Sequence, residues 1–295
     1  MTTLAVLADI HGNLPALEAV LADLAGYDVD QVVVAGDVIN WAPFSARVVA
    51  RVARAGWPVI RGNHEYYLLD YDTPRAPAAW RDRSRFSLLP WLRRQLTGRW
   101  HSLIATWPDT LALHFPDAPP LRVVHGSPRS PWEALGPRCS DAELAAMLAG
   151  VEEATVVAAH THLVMDRRVG DRRILNPGAV GMPVDGLFSA SYLLLEGSQD
   201  GWRPTFRRVP FDYAPLFEEF ARQRFVDECG VIGHLVLEEF RTARLQVYPF
   251  LTWRAASRPD EPLSTDLLAA FSEVNVWDYT PAAFHVNMEA PRAGT

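Results

Sequence analysis

Residues 4–8, Leu-Ala-Val-Leu-Ala, form a short apolar run that stops at Asp9, and over residues 15–24 the apolar positions recur at helical spacing. The pattern predicts strand, loop, helix. It repeats: the run at 31–35 ends at Gly36-Asp37, residues 45–55 read as a helix, and Val59-Ile60 runs into Gly62-Asn63-His64. Further strands are predicted at 121–124, ending in His125, and at 155–158, ending in His160-Thr161-His162. Buried strands alternating with helices indicate an α/β domain, and each of these five strands is followed by a polar cluster.

Later in the chain, 164–169 and 173–175 flank Gly170-Asp171 as a hairpin, and 190–195 followed by 205–209 reads as another, so the second half is more antiparallel. A stretch rich in Trp, Arg and Pro interrupts the motif-bearing strands over about 66–116, with helical spacing at 86–96; it is read as a helical insertion beside the site. Helical patterns return at 213–226, 232–245 and 265–274. These divide the chain into a catalytic domain at 1–210 and a helical C-terminal extension at 211–295, serving as a cap, a dimerisation arm or packing for a sheet edge.

Composition narrows the function classes. The 295 residues are 49% hydrophobic and 21% charged, a globular composition long enough to bury a core without disulfides or a structural metal. A metal in such a chain is read as functional. The net charge of −7, with arginine as every basic side chain except histidine, argues against a broad basic face for duplex nucleic acid or an anionic membrane. Cys139 and Cys229 form no metal-spaced pair and fit a reducing compartment. With no basic, apolar leader and no run of about 18 apolar residues, the expected location is cytoplasmic.

Five of the nine histidines, His11, His64, His125, His160 and His162, sit at strand ends beside Asp9, Asp37, Asn40 and Asn63. Loops from different strands converge there in an α/β sheet. Singly, each segment has a plain reading: Asp9-x-His11 as loop hydrogen bonding, Gly36-Asp37 as a turn, Gly62-Asn63-His64-Glu65 as a helix start capped by Asn63. His160-x-His162 is more specific, because alternate residues of an extended segment face one side and can present two imidazoles together. In this order and number, the segments point to a metal centre.

The set Asp9-x-His11-Gly12-Asn13, Gly36-Asp37-x-x-Asn40, Gly62-Asn63-His64-Glu65, His125-Gly126 and His160-x-His162 resembles the calcineurin-like metallophosphoesterases, and Asn176-Pro177-Gly178 extends the likeness over roughly the first 200 residues. The resemblance implies a four-layer α/β/β/α sandwich, the metallophosphoesterase fold, and two divalent metal ions. One would lie on Asp9, His11, Asp37 and His162, the other on Asp37, Asn63, His125 and His160, with Asp37 bridging. Mixed oxygen and nitrogen ligands suit Mn or Fe first, with Zn, Ni or Co as alternatives. Two such ions against two carboxylates leave about two positive charges, a natural seat for phosphate.

The resemblance further implies hydrolysis by a metal-bound hydroxide, with His64 as general acid. Protein phosphatases of the superfamily carry Asp-Arg-Gly where this chain has Asn40-Trp41-Ala42, so Asn40 is the candidate partner of His64 and phosphoprotein recognition is weakened. Arg129 is a candidate phosphate clamp by its bidentate fork. Trp80, Trp91, Trp100 and Trp107 of the insertion are candidates for stacking on a nucleobase. The expected substrate is a small phosphorylated molecule, a phosphodiester or dinucleotide polyphosphate, with a phosphomonoester or phosphoprotein as the alternatives. A non-catalytic interaction scaffold is the reading from another class. Oligomeric state is left open.

Overall fold

A computed structural model gives the fold of residues 1–285. β1 (Thr3–Leu7), α1 (Leu14–Leu24), β2 (Gln31–Val34) and α2 (Ser45–Ala55) follow the apolar pattern closely. β1 pairs in parallel with β2 and antiparallel with β8 (Ser189–Ser198), which pairs with β9 (Gly201–Pro210), giving the order β2-β1-β8-β9. A second sheet has the order β3 (Thr110–Leu113), β4 (Leu121–Val124), β5 (Thr155–Val157), β7 (Arg172–Pro177), β6 (Val164–Val169).

Side-chain alternation along these strands builds three apolar layers. Leu4, Val6 and Val33 of the first sheet meet Leu121, Val123, Val157 and Leu175 of the second between the sheets. Ala5, Leu7 and Tyr192, on the opposite face of the first sheet, pack with Leu17, Val20, Val48 and Val52 of α1 and α2. Val124, Val156 and Ile174, on the outer face of the second sheet, pack with Leu144 of α6 (Asp141–Met147) and with Leu148. Two sheets between helices make the expected four-layer sandwich.

The stretch 66–116 holds most of α3 (Asn63–Asp70), then α4 (Leu88–Gln95) and α5 (Arg99–Ala105), but also β3, which pairs antiparallel with β4. Val59-Ile60 is reduced to a single bridge, Val34 with Val59. The tail forms α7 (Ala214–Arg222), α8 (Phe225–Thr242), α9 (Val247–Ser257) and α10 (Thr265–Phe271). The helical pattern at 213–226 breaks at Arg224, in the left-handed region at φ 51°, and α8 kinks at Gly230. Phe220, Phe225, Phe240 and Phe250 bury themselves in the same core as α1 and α2, and Trp91 of α4 stands edge-on to Phe225 at 4.8 Å. Insertion and tail are thus welded together on one side of the sandwich; residues 286–295 of the extension lie outside the described residues. No described helix is long and apolar enough to cross a membrane.

Candidate metal centre and catalytic cavity

Asp9 follows β1, Asp37 follows β2, His125 follows β4 and His160 follows β5. Asp9, His11, Asp37, Asn40, Trp41, His160 and His162 all have left-handed φ between 49° and 75°. Such backbone costs free energy in residues with a Cβ and persists where the surroundings over-determine it. Here the loops hold one another: Asp9 N–H donates to the Gly36 carbonyl (3.2 Å), His11 N–H to that of Asp37 (2.9 Å), and Gly181 N–H to that of Asp9 (2.9 Å). The approach is close enough to demand glycine, since a Cβ on Gly62 would lie 2.1 Å from Asp37 Oδ1.

The consequence is a dense cluster of buried donors. Asp9, His11, Asp37 and His162 each offer one ligand atom within 4.8 Å of the others, and so do Asp37, His125 and His160. Asp37 is common to both groups. Asn63 joins the second, its Oδ1 accepting from His125 Nε2 at 2.9 Å. His11 Nε2 and His162 Nε2 face each other at 3.1 Å, and Asp37 Oδ2 stands 3.2 Å from His125 Nε2 and 3.6 Å from His11 Nε2. Both oxygens of the fully buried Asp9 lack a hydrogen-bond partner among the described residues. Orphaned carboxylate oxygens at the centre of converging imidazoles are the donor set of a cation site, and a divalent first-row ion fits it.

The outer contacts fix how the imidazoles point. His162 Nδ1 donates to the Met182 carbonyl (2.6 Å) and His125 Nδ1 to that of Ala35 (2.9 Å), which turns both Nε2 atoms inward as metal-ligating histidines require. Glu65, fully buried, accepts from the backbone N–H groups of Gly62 (2.7 Å), Asp37 (2.9 Å) and Val38 (2.9 Å), and so clamps the Asp37 loop to the start of α3. Asn63 is not the cap of that helix; Gly62 takes the position and frees the Asn63 amide for the site.

Electrostatically, these protein groups by themselves are unsettled. Burial drives Asp9 well above the usual carboxylate range and lowers His160 to about 3 and His162 to about 4. Burial opposes charge on His125 too, but Asp37's charge and hydrogen bond outweigh it and lift this imidazole to about 9. Burial likewise works against ionised Asp37, yet the surrounding histidines, His125 foremost, hold it well below the carboxylate range. One proton on His125 stands in for the positive charge the cradle is built to hold.

His64 lies beside this cradle, its ring 4.7 Å from that of His11 and between Trp41 (5.2 Å) and Tyr67 (5.4 Å). Asn40 Nδ2 donates to His64 Nδ1 at 2.8 Å, leaving the imidazole proton on Nε2. The cradle and His64 open into a cavity of about 470 Å³. Arg129 does not line it: the guanidinium is half-exposed, donates to Glu133 from Nε (3.1 Å) and Nη2 (2.6 Å), and borders a separate small pocket. Trp80, Trp91, Trp100 and Trp107 do not line it either, because Trp91 and Trp107 are core and Trp80 packs behind Tyr67. The aromatic wall comes instead from Trp41, Tyr67, Phe86, Trp132, Tyr248 and Phe284. The pair His160 and His162 does not arise from strand alternation: β5 ends at Val157, and the left-handed φ of 67° and 60° sends one imidazole toward His125 and the other toward His11.

Residues 2–200 match the calcineurin-like phosphoesterase superfamily domain, and the chain belongs to that superfamily. A crystal structure of a metallophosphoesterase from Sphaerobacter thermophilus is similar over 82% of this chain and 99% of its own, with a TM-score of 0.65 and 25% identity. A hypothetical protein from Pyrococcus horikoshii shares the fold over 83% of this chain and 99% of its own, with a TM-score of 0.67 and 19% identity. An uncharacterized protein of Methanocaldococcus jannaschii is 23% identical over 247 residues, which is 77% of this chain and 95% of the relative.

Proposed function

We propose that this chain hydrolyses phosphodiesters or dinucleotide polyphosphates at a two-metal centre. The observation that carries the reading is the pair of ligand groups sharing Asp37, with Asp9's orphaned oxygens inside and His64 alongside. Asp9, His11, Asp37 and His162 would hold one ion, and Asp37, Asn63, His125 and His160 the other. Divalent ions such as Mn or Fe supply Lewis acidity and water of lowered pKa.

The chain's own groups do the rest. His64, its Nδ1 occupied by Asn40, presents its Nε2 proton to the leaving oxygen. Burial lowers the basicity of this imidazole, and with a neutral amide behind it the histidine acts as a hydrogen-bond donor at neutral pH. Trp41 and Tyr67 give the second substituent of a diester a surface next to the phosphate. A monoester brings one organic substituent and leaves part of the aromatic lining without a partner, which supports a substrate with two.

The test is turnover of chelator-treated protein with Mn²⁺ restored, comparing an aryl phosphodiester, an aryl monoester and diadenosine tetraphosphate. The diester or the dinucleotide is expected to turn over at least about tenfold faster than the monoester, a difference of about 1.4 kcal/mol in barrier. A faster monoester, or no metal-dependent turnover of any of the three, would overturn the proposal.

A further inference from the structure

Away from the histidines the cavity changes character. Its far wall is built from Phe86 and Leu89 of the insertion, Trp132 of the loop after β4, and Val247, Tyr248 and Leu251 of α9. Arg85, the one lining arginine among the described residues, is exposed, with its guanidinium 5.4 Å from the Phe86 ring centroid. In the midst of this apolar surface lies Glu239 of α8, which lines the cavity and is only 1% exposed. Its Oε1 accepts from the backbone N–H groups of Gln246 (2.8 Å) and Val247 (3.0 Å), while Oε2 has no partner among the described residues. A buried carboxyl oxygen left open is costly to the fold and supplies an acceptor to whatever brings a donor.

We propose that this wall binds the organic group of the substrate, a ring system of mainly apolar surface bearing one aromatic amine or hydroxyl that donates to Glu239 Oε2. The inference rests on the phosphoester reading and narrows it. The volume falls in the range of small-molecule sites and suits one ring system. Apolar lining with a single placed polar group gives such a site its affinity and orientation. A polyphosphate chain would carry several charges past one exposed arginine and toward the Glu239 carboxyl, so the favoured substrate is a diester of low charge.

Binding to the Mn²⁺-loaded protein, measured by calorimetry with 1-methylnaphthalene, which has no donor, and 1-naphthylamine, tests the site without relying on turnover. The amino compound is expected to bind about tenfold more tightly. Glu239→Gln keeps an oxygen for the two backbone N–H groups and places an NH₂ donor at the other position, so the preference should disappear. Leu251→Trp fills the wall and should weaken both compounds by about tenfold or more. Equal binding of the two compounds by the unsubstituted protein, or a preference that survives Glu239→Gln, would overturn the inference. Naphthylamine binding without any ester turnover supports the ring site while defeating the hydrolytic reading. Diester turnover without naphthylamine binding defeats the ring site alone.

Discussion

The cradle and the far wall of the cavity are built by opposite means. In the cradle, seven left-handed residues and closely packed glycines at the ends of short strands force carboxylates and imidazoles together, and the Asp37 carboxylate stands within 4.0 Å of three imidazoles. In the far wall, helices of the insertion and tail contribute apolar side chains, and Glu239, the buried carboxyl there, has no charged partner among the described residues. The sandwich therefore fixes the chemistry, and the added helices shape what the chemistry acts on. Binding function placed on a rigid scaffold while its surroundings vary is a general solution, and here the division runs through a single cavity.

His64→Ala gives the largest expected effect and separates catalysis from metal binding. The imidazole touches the cradle but offers its Nδ1 to Asn40 and its Nε2 to the cavity, so its loss should leave two Mn²⁺ per chain while lowering kcat by about 10²–10⁴. Metal content by elemental analysis and turnover on the same sample decide it. Unchanged turnover would remove His64 from the chemistry, and metals lost along with activity would make it part of the cradle.

Gly62→Ala should act through the cradle while sparing the far wall. Gly62 has φ −102°, which alanine adopts without strain, so the effect comes from the added methyl meeting Asp37 Oδ1. Relieving a 2.1 Å approach requires the shared ligand to move by about an ångström, which is expected to weaken Mn²⁺ binding by about 10–100-fold, as loss of supporting contacts does in metal sites. Apolar-ring binding should change little. Unaltered Mn²⁺ affinity would mean the Asp37 loop yields, contrary to the grip of Glu65 on its backbone.

This contrast also explains what was legible in the sequence. The cradle residues interrupt apolar runs, so Asp9, Asp37, His125 and His160 announce themselves at the ends of strands. Glu65 lies within a recognisable motif and caps its own helix at Gly62, but its other partners are backbone groups 26 to 28 residues away that no side-chain pattern records. The Met182 carbonyl behind His162 is invisible for the same reason. Trp132 and Tyr248 sit in a loop and a helix with no chemical motif, and Glu239 lies in the last turn of α8 between Glu238 and Phe240, so only tertiary packing brings them to the cavity. Arg129 illustrates the reverse error: proximity to His125 suggested a clamp, while Glu133 four residues on already satisfies the guanidinium. β3 escaped because its four residues, three half-exposed and Ala112 exposed, show no clean alternation.

The last expected effect is on stability rather than activity; it returns to Glu239 and asks whether its carboxyl is truly uncompensated. Burial pushes it from 4.5 to about 7, with the two backbone N–H groups opposing only in part. Between those values the folded chain holds a proton that the unfolded chain has released, so this residue's contribution to stability falls as pH rises from 4.5 to about 7 and is flat above. The full span is about 3 kcal/mol, an upper figure. A glutamine side chain cannot ionise, so the stability difference between Glu239→Gln and the unsubstituted chain should move in favour of the variant across this window. Urea midpoints at pH 5 and pH 8 measure it, and taking the difference between the two proteins cancels other titrating groups, Glu65 included. A constant difference would mean that Oε2 is already paired or hydrated, and the far wall would then hold no open acceptor.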